Sequence, residues 1–270
     1  MAPSDSSTES LDRILNTYAL KDLRNLPPMP QSASTALQLA RKRPLELEEI
    51  VVYALTDPLL SARLLSVANS TRFRGATQLN TITAAATRMG TTGCRELLLQ
   101  YACLRMLSSH RPPYATVLGK VFDRSVRSAQ VTHRVADHFF VESDVAYLAA
   151  LMQDLGYARC VQTLAQHLKT PPTEADMIEA IEPVHGEVGA HLIKAWNLPA
   201  DFAEVCEHHH APGQRKLPLM VNIANQVVAV CEGDKILAGE LTYGLRELGF
   251  TAKQVAALFS EAARELQWVA

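Results

Sequence analysis

The residues that could carry chemistry are one aspartate and a small set of histidines in the second half of the chain. Asp154 ends the apolar run in "LAALMQDLGYARC", His185 opens "HGEVG", and three consecutive histidines at 208–210 stand in "CEHHHAPG". Carboxylates and imidazoles are the ligands with which a hydrolytic site holds a metal ion and lowers the pKa of a bound water. Adjacent helical residues point about 100° apart, so at most two of the three histidines could face one ion.

Each of these residues also has a structural interpretation. Asp154 stands just before a new helical pattern, and this position favours a carboxylate that caps the helix. The three histidines precede Pro212-Gly213, which is typical of the last turn of a helix, where an imidazolium suits the helix dipole. For His185, two roles stay open: packing in the core, or a place in a functional pocket.

Motifs for other chemistries are missing from the sequence. The chain has no G-x-S-x-G, no Walker loop and no G-x-G-x-x-G. The glycines of "RMGTTGCRE" follow a helical pattern and indicate a helix break rather than a phosphate-binding loop.

A small basic patch is formed by Arg63, Arg72 and Arg74, the last two in "STRFRGATQ". The pattern favours a solvated turn. Nucleotide or nucleic-acid contact stays open as an alternative, with Arg88 and Arg95 as further contacts.

The elements that must position these residues have helical patterns throughout. Asp57 and Pro58 form a typical helix start in "DPLLSARLLSVANS", and Thr173 is a typical cap before "EADMIEAI". Apolar residues recur at helical spacing from Tyr114 to about His138. Strand-like alternation bounded by turns is nearly absent, so the sequence predicts an all-α protein.

Composition predicts a cytoplasmic protein. Five widely spaced cysteines without a C-x-x-C indicate neither a disulfide framework nor a zinc ribbon. No secretory signal stands at the start, and no window is apolar over the ~18 residues of a membrane span.

Charge and proline placement predict two regions after a short leader. The small, polar residues 1–10 indicate disorder. Residues 1–130 hold 16 Lys+Arg against 10 Asp+Glu, whereas residues 131–270 hold 10 against 18, and two prolines in "RPPY" interrupt the helical pattern. We therefore predict an N-terminal helical region at 11–110 and a second helical region at 111–270.

The order of several segments resembles the HDOD family, a regulatory offshoot of the HD-type phosphohydrolases. The resemblance covers about residues 20–235 and rests on "LPPMP", "DPLLSARLLSVANS", "LNTITAAATRMGTTGCRELLL", "VFDRSVRSA", "YLAALMQDLG", "HGEVGAHLIKAWNLPADFAEVCEHHHAPG" and "LPLMVNIANQVV". It implies an all-α fold in which a helical N-terminal HDOD-type subdomain packs on a helical HD-like subdomain. Together these would form one HDOD domain, with further C-terminal helices.

The resemblance also implies a site. In catalytic HD relatives a metal is held by a histidine on an early helix, a His-Asp doublet and a late aspartate. By motif these four positions fall on Ser125, Gln153, Asp154 and Asn225, so only Asp154 keeps a ligand of that type. Because neutral side chains bind divalent cations poorly, we expect the other three to form hydrogen bonds with Asp154 and with one another.

Further histidines match positions that some HD relatives use for additional metals. They are His185 and one of His208 or His209. A pocket for a metal or another ligand therefore stays open at these residues.

On this resemblance we expect a non-catalytic regulatory module in a bacterial signalling pathway. We expect no catalytic residue, no cofactor and no bound metal. The expected partner is a protein. A small molecule or a nucleotide stays open as a ligand. Binding to a membrane or to a nucleic acid is not expected. The alternatives are a divergent metal-dependent phosphohydrolase that uses Asp154, His185 and His208 or His209, and a nucleotide- or nucleic-acid-binding protein.

Overall fold

The computed structural model describes residues 5–21, 26–73, 75, 77–107 and 112–269. All regular elements among these residues are helices, which confirms the predicted all-α class. No helix in this part of the chain is both long enough and apolar enough to cross a membrane.

Helices of 8 to 25 residues, joined by turns, make up the described parts of the chain. The α-helices of the described residues are α1 (Asp5–Ile14), α2 (Gln31–Ala40), α3 (Leu47–Thr56), α4 (Pro58–Asn69), α5 (Ile82–Met106), α6 (Tyr114–Val135), α7 (Ser143–Met152), α8 (Gly156–His167), α9 (Glu174–Ile181), α10 (His185–Ala195), α11 (Ala200–His208), α12 (Lys216–Cys231), α13 (Lys235–Glu247) and α14 (Ala252–Val269). A π-helical turn, Leu15–Leu20, extends α1, and a 3₁₀ turn, Asp137–Phe139, follows α6.

These helices form two compact units. The smaller unit is residues 29–106, and the larger unit combines the chain up to residue 28 with residues 107–269. The smaller unit is thus inserted in sequence between two pieces of the larger one.

In the smaller unit, α2, α3 and α4 all pack against α5. The predicted start of α4 is confirmed, because Asp57 Oδ1 accepts hydrogen bonds from the backbone N–H groups of Leu59 at 3.0 Å and Leu60 at 3.1 Å. The predicted helix break is also present, since α5 bends at Gly90, whose φ of 66° and ψ of 176° lie outside the helical region.

In the larger unit, the packing brings several helix ends to one place. Helix α6 packs against α7, α8 and α12, while α10 packs against α8 and α11. Four parts of the fold converge there, namely the α7–α8 junction, the start of α10, the end of α11 and the middle of α12. Fully buried apolar side chains fill the space between these helices, among them Leu151, Leu155, Leu164, Ile193, Val205 and Val221.

The start of the chain differs from the expected disordered leader at 1–10, since α1 begins at Asp5. Leu11 and Leu15 are buried, and α1 packs against α8 and α9. Because this amphipathic face needs a partner, the first helix joins the larger unit rather than the predicted region 11–110. The division in the structure also falls between Met106 and Leu107, four residues before the predicted start of the second region at 111.

Candidate functional site

Three glycines allow the helices around Asp154 to approach one another closely. A Cβ at Gly156 would lie 1.9 Å from the His185 carbonyl oxygen, and a Cβ at Gly186 would lie 2.7 Å from the Cys206 carbonyl oxygen. Gly189 faces Gly156 at a similarly short range. The starts of α8 and α10 and the end of α11 therefore meet backbone to backbone, as only glycine permits.

Asp154 does not cap α8, contrary to the sequence-based interpretation. The residue before α8 is Leu155, and no side chain caps that helix. The Asp154 side chain is 1% exposed and points inward, where its Oδ2 accepts a hydrogen bond from Arg124 Nη2 at 3.0 Å. A buried carboxylate is better compensated by a guanidinium than by the backbone of one helix start.

The electrostatic surroundings keep Asp154 ionised. Burial by itself would raise the pKa of this carboxyl group. The Arg124 guanidinium and the neighbouring imidazoles of His185 and His209 outweigh burial and hold the pKa well below its ordinary value of 3.8.

Gln153 and Asn225 bind each other instead of Asp154. Asn225 Nδ2 donates to Gln153 Oε1 at 2.7 Å, and Gln153 Nε2 donates to Asn225 Oδ1 at 3.3 Å. Ser125 is buried and donates to the Val121 carbonyl of its own helix at 2.9 Å. The expected network of these side chains around Asp154 is therefore replaced by an amide pair, a separate hydroxyl and the Arg124 ion pair.

The histidines converge on the other oxygen of Asp154. Its Oδ1 lies 3.3 Å from His185 Nε2 and 3.4 Å from His209 Nε2. The two Nε2 atoms are 3.4 Å apart, and His210 Nε2 lies 3.2 Å from His185 Nε2. His185 and His209 are buried, whereas His210 lies at the exposed rim.

The residues predicted to form the site thus separate into two groups. Asp154, His185 and His209 come together with His210, which the sequence analysis did not place in the pocket. His208 is not part of this group, because the helix turn directs it away from its two neighbours.

Sequence reasoning missed Arg124 and His210 as site residues. Arg124 immediately precedes the matched Ser125. Because consecutive helical residues point about 100° apart, only one of the two can face Asp154, and it is Arg124. The three glycines were an available sign of close helix approach, since glycine inside a helical pattern often marks such a contact.

The basic patch has partners within the smaller unit. Arg72 Nη2 lies 2.8 Å from Glu96 Oε2, and its guanidinium is 5.1 Å from the centre of the Phe73 ring. Arg63 is half-buried. Arg74 lies outside the described residues.

The two further arginines of the alternative nucleic-acid surface bind backbone carbonyls. Arg88 Nη2 donates to Thr77 at 2.7 Å and its Nη1 to Ala68 at 3.3 Å. Arg95 Nη1 donates to Ala40 and to Lys42. Their donors therefore hold the smaller unit together.

Comparison with known proteins gives a relative by sequence. An uncharacterized protein of Treponema pallidum (strain Nichols) is 25% identical over 225 residues, which cover 76% of this chain. The chain spans only 43% of the length of that relative.

Two solved structures resemble the whole chain. A candidate metal-dependent phosphohydrolase from Shewanella amazonensis SB2B superimposes with a TM-score of 0.70 at 17% identity, covering 96% of this chain and 99% of that one. A candidate signal transduction protein from Marinobacter aquaeolei VT8 superimposes with a TM-score of 0.63 at 16% identity, covering 99% of this chain and 66% of that one. At these identities the likeness establishes the fold.

The family itself is established by a model that matches more than half of the chain. The model of the HDOD domain matches residues 26–212, which include α2 to α11 and all the histidines and the aspartate of the site. The match begins and ends within the range on which the sequence resemblance rests. The chain belongs to the HDOD domain family.

Proposed function

We propose that this chain is a non-catalytic regulatory module that binds a protein partner or a small ligand in a signalling pathway. The observation that carries the proposal is the reciprocal amide pair of Gln153 and Asn225. It occupies two of the four positions at which catalytic HD relatives hold their metal.

The four matched positions do not fit a hydrolytic metal. Ser125, Gln153 and Asn225 contribute no anionic or imidazole ligand, and the amide oxygens of Gln153 and Asn225 already accept hydrogen bonds from each other. Asp154 is the only carboxylate, and its charge is already balanced by Arg124. A divalent ion at these positions would be largely uncompensated, so no catalytic step is assigned to them.

The names of the structural relatives include both a phosphohydrolase and a signal transduction protein. A shared fold hosts both kinds of function, so the choice depends on the chemistry of the site. The neutral residues at three of the four positions favour regulation over hydrolysis.

The hydrolase alternative is tested by turnover. Wild type and Asp154→Ala are incubated with bis(p-nitrophenyl) phosphate and with cyclic dinucleotides in the presence of Mn²⁺, Fe²⁺ or Mg²⁺. We expect the two proteins to give the same background rate. Metal-dependent turnover that Asp154→Ala abolishes would establish an enzyme and overturn the proposal.

The binding role is tested by capture of partners from the native cell extract. Wild type is compared with Gln153→His/Asn225→Asp, which restores two ligand types and removes the amide pair, after both proteins are shown to unfold at the same temperature. A partner or ligand that only wild type retains supports recognition through this pocket. Equal sets of captured molecules would place recognition elsewhere on the surface.

A further inference from the structure

Helix α3 of the smaller unit is apolar on two opposite sides. Ile50 and Ala54 are buried on the side that faces the unit, whereas Val52 and Leu55 on the outer side are 64% and 68% exposed. Residues 50–56, "IVVYALT", contain no charged side chain. A helix that is apolar all round is normally covered all round. The outer side of α3 therefore lacks a covering element within the described parts of the chain.

A groove lies beside this exposed side. It runs between α2 and α3, has a volume of about 600 Å³, and is lined on its α3 side by Val52 and Tyr53. Two contacts join the helices near the ends of the groove. The Tyr53 hydroxyl donates to the Ser32 carbonyl at 2.8 Å, and Lys42 pairs with Glu49. The spacing of α2 and α3 is therefore fixed at both ends.

The α3 patch, defined as Val52, Leu55 and the adjoining groove, combines a projection with a recess. Leu55 follows Val52 by three residues, so the two side chains stand on one face of the helix. Val52 and Leu39 line the recess. Leu59, at the start of α4, is 40% exposed. Single exposed apolar residues are common on protein surfaces, but a cluster of them beside a groove is typical of an interaction site.

An apolar projection beside an apolar recess fits a second copy of the same surface. In a contact with two-fold symmetry both copies use the same patch, so each projecting residue must meet a recess of the other copy. Leu55 of each copy would enter the groove of the other and cover Val52 and Tyr53. A small ligand in the groove would instead leave Leu55 in water.

The charges around the α3 patch also match a copy. Residues 41–49 at one end of the groove carry three basic and three acidic side chains, and Lys42, Glu48 and Glu49 among them line the groove. A partner with a strong charge of one sign would meet both signs on this rim and gain little. A copy brings the same balanced mixture and can match each sign with its opposite. An apolar centre with a polar rim is the usual pattern of protein interfaces.

We propose that the α3 patch is the contact between two copies of this chain in a two-fold dimer. Helices α2 and α3 have ten residues each and are thus about 15 Å long and about 10 Å wide, so their outer faces offer roughly 300 Å² per copy in projection. An area of this size is at the low end of specific interfaces. We therefore expect a Kd on the order of 10 μM and a dimer that dissociates on dilution.

This inference goes beyond the proposed function and does not depend on it. The α3 patch lies wholly within residues 29–106, whereas Asp154 and its neighbours lie in the larger unit. A monomer without turnover would overturn the dimer and leave the regulatory role intact. A dimer with metal-dependent turnover would do the reverse.

The experiment measures the mass of the full chain in solution. Sedimentation velocity, and light scattering after gel filtration, cover concentrations from about 1 μM to about 200 μM. We expect the mass to rise from that of one chain to that of two and to stop there. A single-chain mass at the highest concentration would overturn the proposal, and so would a mass that grows beyond two chains.

Variants locate the contact. Leu55→Glu changes an exposed residue and places a carboxylate in the apolar centre of the contact, so we expect it to raise the Kd at least about tenfold. Val52→Lys should do the same from the groove. The matched control is Tyr243→Glu, because Tyr243 of α13 is also 68% exposed but lies in the larger unit. We expect this control to dimerise like wild type.

Thermal unfolding shows whether each variant is folded, and Val52→Lys carries the test if Leu55→Glu is not. A dimer that both patch variants leave intact would refute the assignment. Equal weakening by Tyr243→Glu would refute it as well, because the loss would then not depend on the α3 patch.

Discussion

Asp154 has a different charged or polar group on each carboxylate oxygen. One oxygen binds Arg124, and the other faces imidazole nitrogens. Because Asp154 is 1% exposed, its charge cannot be compensated by water. The stability of this part of the fold should therefore depend on Arg124.

Replacement of Arg124 tests that dependence. We expect Arg124→Met to lower the free energy of unfolding by about 2–3 kcal/mol, less than the ~3–5 kcal/mol for a fully buried pair, because the Arg124 side chain is 43% exposed. Lys120→Met is the matched control on the same helix, since Lys120 forms an exposed pair with Glu174 and should cost at most about 1 kcal/mol. Urea unfolding that shows equal losses would contradict the prediction.

The pH dependence of stability follows in part from His185. Burial would lower the pKa of His185, but Asp154 and Glu182 outweigh burial and raise it above 6.5. Tyr157, His209 and His210 also face the His185 ring. Protonation therefore favours the folded state: the stabilisation is complete below pH 6.5 and is lost as pH rises through the raised pKa.

The unfolding temperature of wild type should therefore decrease above pH 6.5 more steeply than that of His185→Gln. Identical pH profiles for wild type and His185→Gln would show that His185 does not titrate as described.

The approach of α8 to α10 sets the geometry of the cluster. Gly156 begins α8 directly against the His185 carbonyl, so the first turn of α8 fixes the position of the first residue of α10. Backbone contacts of this kind leave no flexible side chain that could move aside.

We expect Gly156→Ala to destabilise the protein by about 3 kcal/mol or more, because the added methyl group would force α8 and α10 apart. Gly119→Ala is the matched control inside α6, where a Cβ meets nothing within 4 Å and the position is exposed. It should stabilise the protein by about 0.5–1 kcal/mol. Thermal unfolding of both variants checks the prediction, which fails if Gly156→Ala is tolerated like Gly119→Ala.

Caps could be predicted from sequence, whereas pairings between helices could not. Asp57 and Thr173 cap α4 and α9 as predicted, because a cap depends on a few neighbouring residues. Asp154 stands in a favourable capping position, but its side chain accepts a hydrogen bond from Arg124 of α6 instead. Whether the side chains of Arg124 and His210 face Asp154 depends on how their helices are rotated about their own axes. The spacing of apolar residues predicts that rotation only to within about one residue position.

The basic excess of the first 130 residues does not by itself indicate a nucleic-acid-binding surface. The first 130 residues carry six more basic than acidic residues, 16 against 10. Yet Arg72 pairs with Glu96, and Arg88 and Arg95 bind backbone carbonyls. The basic excess therefore serves partly to hold the smaller unit together.

We accordingly expect no binding to single-stranded or duplex DNA or RNA at about 50 mM salt, measured by fluorescence anisotropy. A steep fall of affinity with rising salt, reduced by Arg72→Ala, would show that phosphate contacts exist and would contradict this expectation.

The insertion of residues 29–106 into the sequence of the larger unit has a consequence for how the protein forms. Arg159 donates to the Tyr18 carbonyl at 3.2 Å across 141 residues of chain, and α1 packs on α8 and α9. On a ribosome, residues 29–106 emerge with all their own partners, whereas α1 must wait until most of the polypeptide has been synthesised. The nascent chain therefore carries α1 with its apolar face uncovered while residues 29–106 fold, and α1 reaches its native contacts only after α8 and α9 have been synthesised.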